Sequence, residues 1–207
     1  MQEIIKHYLE DVLKEYTRNE HLESSILAKK YYFDITGTIA EEEPDYEAKM
    51  HLFNEWYIFD YVSPRAVGTV MRNYLEQRKI EDDIAMAFLS VNYSLFEYVK
   101  NTFKGFVVLH DILHDKKIIL TQKAVDVPLV KGDLFVGRVL TYKNEISLLR
   151  GIWSMPTLIK KILVKESKRI RKLKDPLKEK EFLLKLELYK TKWMHYRHVL
   201  PERIFIF

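Results

Sequence analysis

The sequence predicts an α+β protein, with helices at both ends and a small antiparallel sheet or barrel between them over about residues 94–150. Three observations predict it. Apolar residues recur at helical spacing before about residue 90 and again after Pro156. Between those stretches the period shortens to short β-prone runs separated by turn residues. The order of helices, then strands, then helices also departs from the strand–helix alternation of a parallel α/β sheet.

Taken in order, Ile4, Ile5, Tyr8, Leu9, Val12, Leu13 and Tyr16 fall on one face of a helix over about 2–18. A second helix covers about 21–32, and 33–40, with Gly37, reads as a connector. Pro44-Asp45 opens a third helix that runs to about Phe59, with carboxylates where the helix dipole is positive. That helix contains FNEWYIFDY, residues 53–61, whose five aromatics raise the question of a stacking box. Stacking sites for nucleic acid combine exposed aromatics with cations, and this stretch has no cation. It therefore reads as a core helix, with Asp60 at its end or pinning the following loop. Glu55 and Asp60, five apart, fall on different helix faces, and His51 with Glu55 reads as a surface contact. Thr69 is placed to cap a helix carrying Val70, Met71, Tyr74 and Leu75, and another helix starts near Glu81-Asp82-Asp83.

The strand runs are LFEYV, FVVLH, KIILT, AVDVPLV, DLFVGRVLTY and EISLLR. Turns fall at Lys104-Gly105, His114-Asp115-Lys116, Lys131-Gly132-Asp133 and Lys143-Asn144. Helix returns after Pro156, continues to about Leu173, breaks at Asp175-Pro176 and resumes to about His198. The chain thus divides into a mixed core domain, 1–155, and a basic helical segment, 156–207, packed on it. The apolar end, Ile204–Phe207, is expected to dock in the core or across a homo-oligomer interface.

Four motifs in this order carry a resemblance: the aromatic helix segment Trp56–Asp60, SLFEYV followed by Gly105, the turn in LHDILHDKKIIL, and GDLFVGRVL at Gly132–Leu140. They resemble an uncharacterised prokaryotic domain that is sometimes joined to a zinc-chelating SEC-C tail. The similarity covers about residues 45–155. The tail is not present in this sequence, because its metal ligands include cysteines and the chain has none. The resemblance implies a shared fold and brings no catalytic residues with it.

Composition narrows the function classes. Without cysteine there is no disulfide framework, thiol catalysis or Cys-ligated zinc. No apolar run of about eighteen residues and no N-terminal apolar signal segment occurs, so a cytoplasmic soluble protein is expected. Six Asn and three Gln beside abundant Lys and Glu point to a thermophilic source. The six glycines form neither a Walker loop nor a dinucleotide fingerprint, and no nucleophile elbow occurs, so no catalytic residue and no cofactor is assigned.

Two segments remain as chemistry candidates. LHDILHD holds His110, Asp111, His114 and Asp115, residue types that ligate divalent metals in hydrolases. The segment lies between two β-prone runs, however, where the spacing does not bring both imidazoles to one helix face. A strand running into a turn is the plainer reading, with a metal-dependent hydrolase as the alternative function. The second candidate is a basic segment. The net charge of +4 divides into −8 over residues 1–62, +3 over 63–157 and +9 over 158–207. Lys160, Lys161, Lys165, Lys168, Arg169, Arg171, Lys172 and Lys174 form a basic amphipathic stretch opposite Ile159, Ile162, Leu163, Ile170 and Leu173. It suits a nonspecific nucleic-acid surface, an anionic membrane surface or an acidic protein partner. It also suits a solvated helix neutralised by the acidic N-terminal helices. The favoured function is a non-enzymatic binding or adaptor module.

Overall fold

A computed structural model describes residues 2–64, 66–121 and 129–207. Five helices come first: α1 (Gln2–Tyr16), α2 (Leu22–Thr36), α3 (Tyr46–Phe59), α4 (Val70–Gln77) and α5 (Asp82–Leu89). Six strands follow: β1 (Asn92–Asn101), β2 (Phe106–Asp111), β3 (Lys116–Thr121), β4 (Leu134–Tyr142), β5 (Glu145–Leu148) and β6 (Trp153–Met155). The chain then forms α6 (Lys160–Leu173) and α7 (Pro176–His195). The predicted α+β order holds. Of the AVDVPLV run, residues 124–128 lie outside the described residues.

Two boundaries differ from expectation. Helix α2 runs through the predicted connector to Thr36, where Gly37 stops it at φ +79°, a conformation that favours glycine. Tertiary packing extends the helix: Phe33 meets the Phe53 ring, and the Thr36 hydroxyl donates back to the Tyr32 carbonyl at 2.8 Å. The second difference is β6, which is too short for a periodicity to show and exists only because it pairs with β4.

The sheet is antiparallel, with strand order β3-β2-β1-β4-β5, and β6 pairs with β4 beside β5. Lys143 and Asn144 both have positive φ (48° and 64°), the geometry of a two-residue hairpin turn that matches strand twist. A register shift between Tyr98 and Lys100 adds a bulge in β1. Bulges raise local twist, and the sheet curls into a half-barrel that brings β3 towards β5.

Alternation along the strands sorts side chains into two cores. The inner face of the half-barrel packs Phe96, Tyr98, Leu109, Leu120, Phe135 and Val139 among themselves. The outer face packs Leu95, Val136, Leu140 and Trp153 against helices drawn from both ends of the chain. Because β4 is covered on both faces, LFVGRVL is buried throughout, including its one charged residue, Arg138. Helix α7 adds Phe182, Leu183, Leu186 and Met194 to the outer core, and Phe205 docks there too.

Candidate functional site

Arg138 is the organising group. In-and-out alternation on β4 sends it, with Leu134, Val136 and Leu140, toward the helices, and only 1% of it is exposed. Its Nη2 donates to Asp60 Oδ2 at 2.7 Å, Nη1 stands 3.6 Å from Glu55 Oε2, and the guanidinium lies 3.8 Å from the Tyr93 ring centroid. Asp60 also binds Lys180 Nζ at 2.8 Å. Glu55 and Asp60 both reach one guanidinium because Asp60 has left the helix: it is the C-cap of α3, with φ −121° and ψ −29°. Burial works against the Asp60 carboxylate, but Arg138 and Lys180 outweigh it and hold its pKa below the ordinary value. At Glu55 burial wins over Arg138 and the Gly151 N–H, and its pKa is pushed up to about 7. Glu55 Oε1 accepts from Gly151 N at 2.6 Å, and a Cβ at Gly151 would stand 2.6 Å from Oε2. Only glycine admits that approach.

The network continues behind Tyr93. Its hydroxyl donates to Glu187 Oε1 at 2.5 Å, and the Tyr32 hydroxyl donates to Glu187 Oε2. Lys49, fully buried, pairs with the same carboxylate at 3.3 Å and lies 5.1 Å from the Tyr32 and Trp153 ring centroids. Burial lowers the Lys49 pKa against the pull of Glu187. Polar side chains on α2, α3, α7 and the sheet are thereby tied together at the layer boundary.

The LHDILHD segment is a strand entering a turn, and alternation at the end of β2 together with the turn divides its four candidate ligands. Asp111 and His114 point into the protein. Asp111 is fully buried and accepts from Ser94 Oγ at 2.5 Å, Asn92 Nδ2 at 2.9 Å and the His114 backbone N–H at 3.0 Å. His114 Nδ1 meets Asp111 Oδ2 at 2.9 Å and its Nε2 meets Glu179 Oε2 at 3.4 Å. The Asp111 hydrogen bond raises the His114 pKa, with Glu179 adding to it and burial opposing. His110 and Asp115 instead face outward, 3.1 Å from each other, and Asp115 takes Arg171 at 3.2 Å. The four do not converge, and the described residues contain no group of three or more His, Asp and Glu side chains able to hold a metal ion. Nor is Ser94-His114-Asp111 a nucleophilic triad. Serine and aspartate both sit on Nδ1, whereas a triad needs them on opposite ring nitrogens.

Two cavities open onto this cluster. One, of about 340 Å³, is lined by Asp60, Arg72, Tyr93, His114, Arg138, Glu179 and Lys180 among others. A larger, more apolar groove of about 670 Å³ runs between α2 and α7, past Leu27, Tyr31, Trp56, Tyr61, Leu177 and Leu184. Asp60, Tyr93 and Lys180 line both, so the two cavities adjoin at these residues and are together called the cleft.

The basic candidates on α6 separate into two sets. Lys160 reaches Glu97 at 2.5 Å, Arg169 pairs within the helix with Glu166 at 2.6 Å, and Arg171 holds the β2–β3 turn through the Ile112 and Leu113 carbonyls and Asp115. Lys161, Lys165, Lys168, Lys172 and Lys174 are exposed and pair with no carboxylate among the described residues. The acidic N-terminal part does not neutralise them. Its carboxylates pair with α7 and the tail instead: Asp60–Lys180, Asp45–Lys190 and Glu43–Arg197.

A family of unknown function (DUF7986) matches residues 1–195, which takes in every residue of the cleft and of α6. The chain belongs to this family. No curated protein and no solved structure matches it. The DUF7986 span exceeds the 45–155 stretch that carries the quoted motifs and includes α1, α2, α6 and α7. Within it, sequence reading missed Arg138, Glu187 and Lys49 as partners. One signal for Arg138 was present: a single arginine in an otherwise apolar strand run, LFVGRVL, which needs a buried counter-charge.

Proposed function

We propose that the protein is a non-enzymatic binding module whose α6 surface takes nucleic acid through its phosphates, without reading base sequence. The observation that carries this reading is the unpaired lysine stripe. Lys161, Lys165, Lys168 and Lys172 stand at i, i+4, i+7 and i+11, a spacing that keeps all four on one exposed helix face. The stripe is about 16 Å long at 1.5 Å per residue. Lys160 and Arg171 fix the helix to the sheet and the β2–β3 turn, so the free lysines project from a positioned scaffold. Phosphate contacts of this kind release counterions and confer affinity without specificity.

Binding to mixed-sequence duplex DNA and single-stranded RNA, followed by fluorescence anisotropy across a salt series, tests the reading. Four phosphate contacts predict a slope of log K against log salt of roughly −3 to −4. Replacing Lys161, Lys165, Lys168 and Lys172 by glutamate is expected to weaken binding more than roughly tenfold while the melting temperature stays close to that of the parent. A flat salt dependence, or an unaffected quadruple variant, overturns the proposal. Binding of polyglutamate in place of nucleic acid would make the partner an acidic protein.

A further inference from the structure

Helix α2 departs from the usual pattern of a surface helix, which turns a polar face to solvent. Ser25, Ala28, Tyr32 and Thr36 bury one side of it, yet apolar residues continue round the outside. Leu22, Ile26, Leu27 and Tyr31 are 50%, 59%, 53% and 55% exposed, and no other helix among the described residues carries as many exposed large apolar side chains. Val62 and Leu177, exposed as well, line the groove beside Leu27 and Tyr31 and extend the patch. Large apolar side chains gathered in this way, rather than scattered, mark a contact surface.

At 3.6 residues per turn the outer face of α2 resolves into three lines. Leu22 and Ile26 form one apolar line, and Leu27 with Tyr31 forms a second. Between them run Glu23 and Lys30, seven residues and so nearly two turns apart. Both are exposed, and neither pairs with an opposite charge among the described residues. Glu23 and Lys30 lie equally far from the midpoint between Ile26 and Leu27. An antiparallel two-fold about that midpoint stands each Glu23 level with the partner's Lys30. It also lays each apolar line on its own counterpart, Ile26 on the partner's Ile26 and Leu27 on the partner's Leu27. A parallel pairing would instead set Glu23 on Glu23 and Lys30 on Lys30.

We propose that the outer face of α2 is a self-association surface, on which two copies of this chain pair antiparallel about a two-fold axis. Charge complementarity selects the occupant. The pattern of Glu23 and Lys30 between two apolar lines is its own complement, the property that an isologous interface requires. At about half exposure, the six apolar side chains offer roughly 600 Å² per copy, which brings the pair to the ~1,200 Å² where specific interfaces begin. Apolar contact supplies the affinity, and the two Glu23–Lys30 contacts set the orientation, because exposed ion pairs add little energy. The face shares no residue with the α6 lysine stripe, so the dimer does not rest on nucleic-acid binding.

Sedimentation velocity of the full chain over about 5–200 µM tests the proposal, and a reversible monomer–dimer equilibrium is expected. Glu23→Lys and Lys30→Glu each bring like charges together twice per dimer, and each is expected to weaken dimerisation at least roughly tenfold. Mixing the two single variants in equal amounts puts opposite charges back at both contacts, as does combining both changes in one chain. Each is expected to restore dimers. Ile26→Asp changes an exposed side chain and is expected to abolish dimers over that range while the monomer melts close to the parent. A parent chain that stays monomeric throughout, single variants that dimerise as the parent does, or a mixture that stays monomeric overturns the proposal.

Discussion

Arg138 shows how much one side chain holds together. It is buried with Asp60 and Glu55 around it and the Tyr93 ring centroid 3.8 Å away. Removing one partner of a buried pair strands the others, at a cost of about 3–5 kcal/mol. Arg138→Met is therefore expected to lose roughly that much in denaturant unfolding, and a loss below about 1 kcal/mol would contradict the network described. Arg138→Lys is expected to recover only part, because an ammonium does not fork between two carboxylates as a guanidinium does. The same cluster sets a pH dependence. The pKa values of Glu55 and His114 are raised on folding, so each contributes stability that is present below its unfolded value and lost as pH rises through its folded value. Those of Asp60 and Asp111 are lowered, so their contributions hold above the ordinary carboxylate range and are lost in acid. Stability measured by urea unfolding is expected to decline between about pH 4.5 and 7 through Glu55, with His51, whose pKa burial lowers, working the other way to a smaller extent. A profile that rises over that interval would refute the assignment.

Among the elements, the basic helix behaves differently from its composition. A run of cations reads as uniform, yet α6 uses Lys160 and Arg171 as anchors and leaves a lysine stripe free. Periodicity places the helix and its apolar face correctly, but which cations anchor it depends on where Glu97 and the β2–β3 turn stand in space. At its end Lys174 sits in the left-handed region, with φ 52° and ψ 37°, before Asp175 caps α7 by accepting from Leu177 N at 2.9 Å. Lys174→Gly is expected to raise stability by about 0.5–1 kcal/mol, because glycine enters that conformation without a Cβ clash. Thermal unfolding measures it, and a destabilised variant would show that the lysine makes a contact of its own. Local signals served well elsewhere. Thr69 caps α4, its hydroxyl accepting from Arg72 N at 3.4 Å, and Lys143-Asn144 make the predicted hairpin turn. Both are decided by neighbours in the chain, which is why residue types alone revealed them.

For the molecule as a whole, the polarised charge of the sequence has a specific resolution. The acidic N-terminal part meets the basic end through α7, by the pairs Asp60–Lys180 and Asp45–Lys190, with Lys49–Glu187 tying the same elements in the reverse sense, while α6 stays open. Helices from both ends build one outer core, in which Phe182, Leu183, Leu186 and Phe205 stand beside Leu52, Trp56 and Leu95. A chain ending at residue 155 would expose that apolar surface and leave Lys49 buried without Glu187. It is expected to show no cooperative thermal transition, and a cooperative one would establish 1–155 as an independent domain.

The α+β order, the helix faces, the turn chemistry and the core role of FNEWYIFDY follow from periodicity and local residue preference, which act over a few neighbouring positions. The polar cluster does not. Arg138 meets Asp60 across 78 residues and Tyr32 meets Glu187 across 155, so their pairing depends on how sheet and helices pack, not on any spacing along the chain. The same holds for the division of LHDILHD into an inward Asp111–His114 pair and an outward His110–Asp115 pair. Strand alternation and the turn fix which side each residue faces, and only the layers packed around them supply the partners.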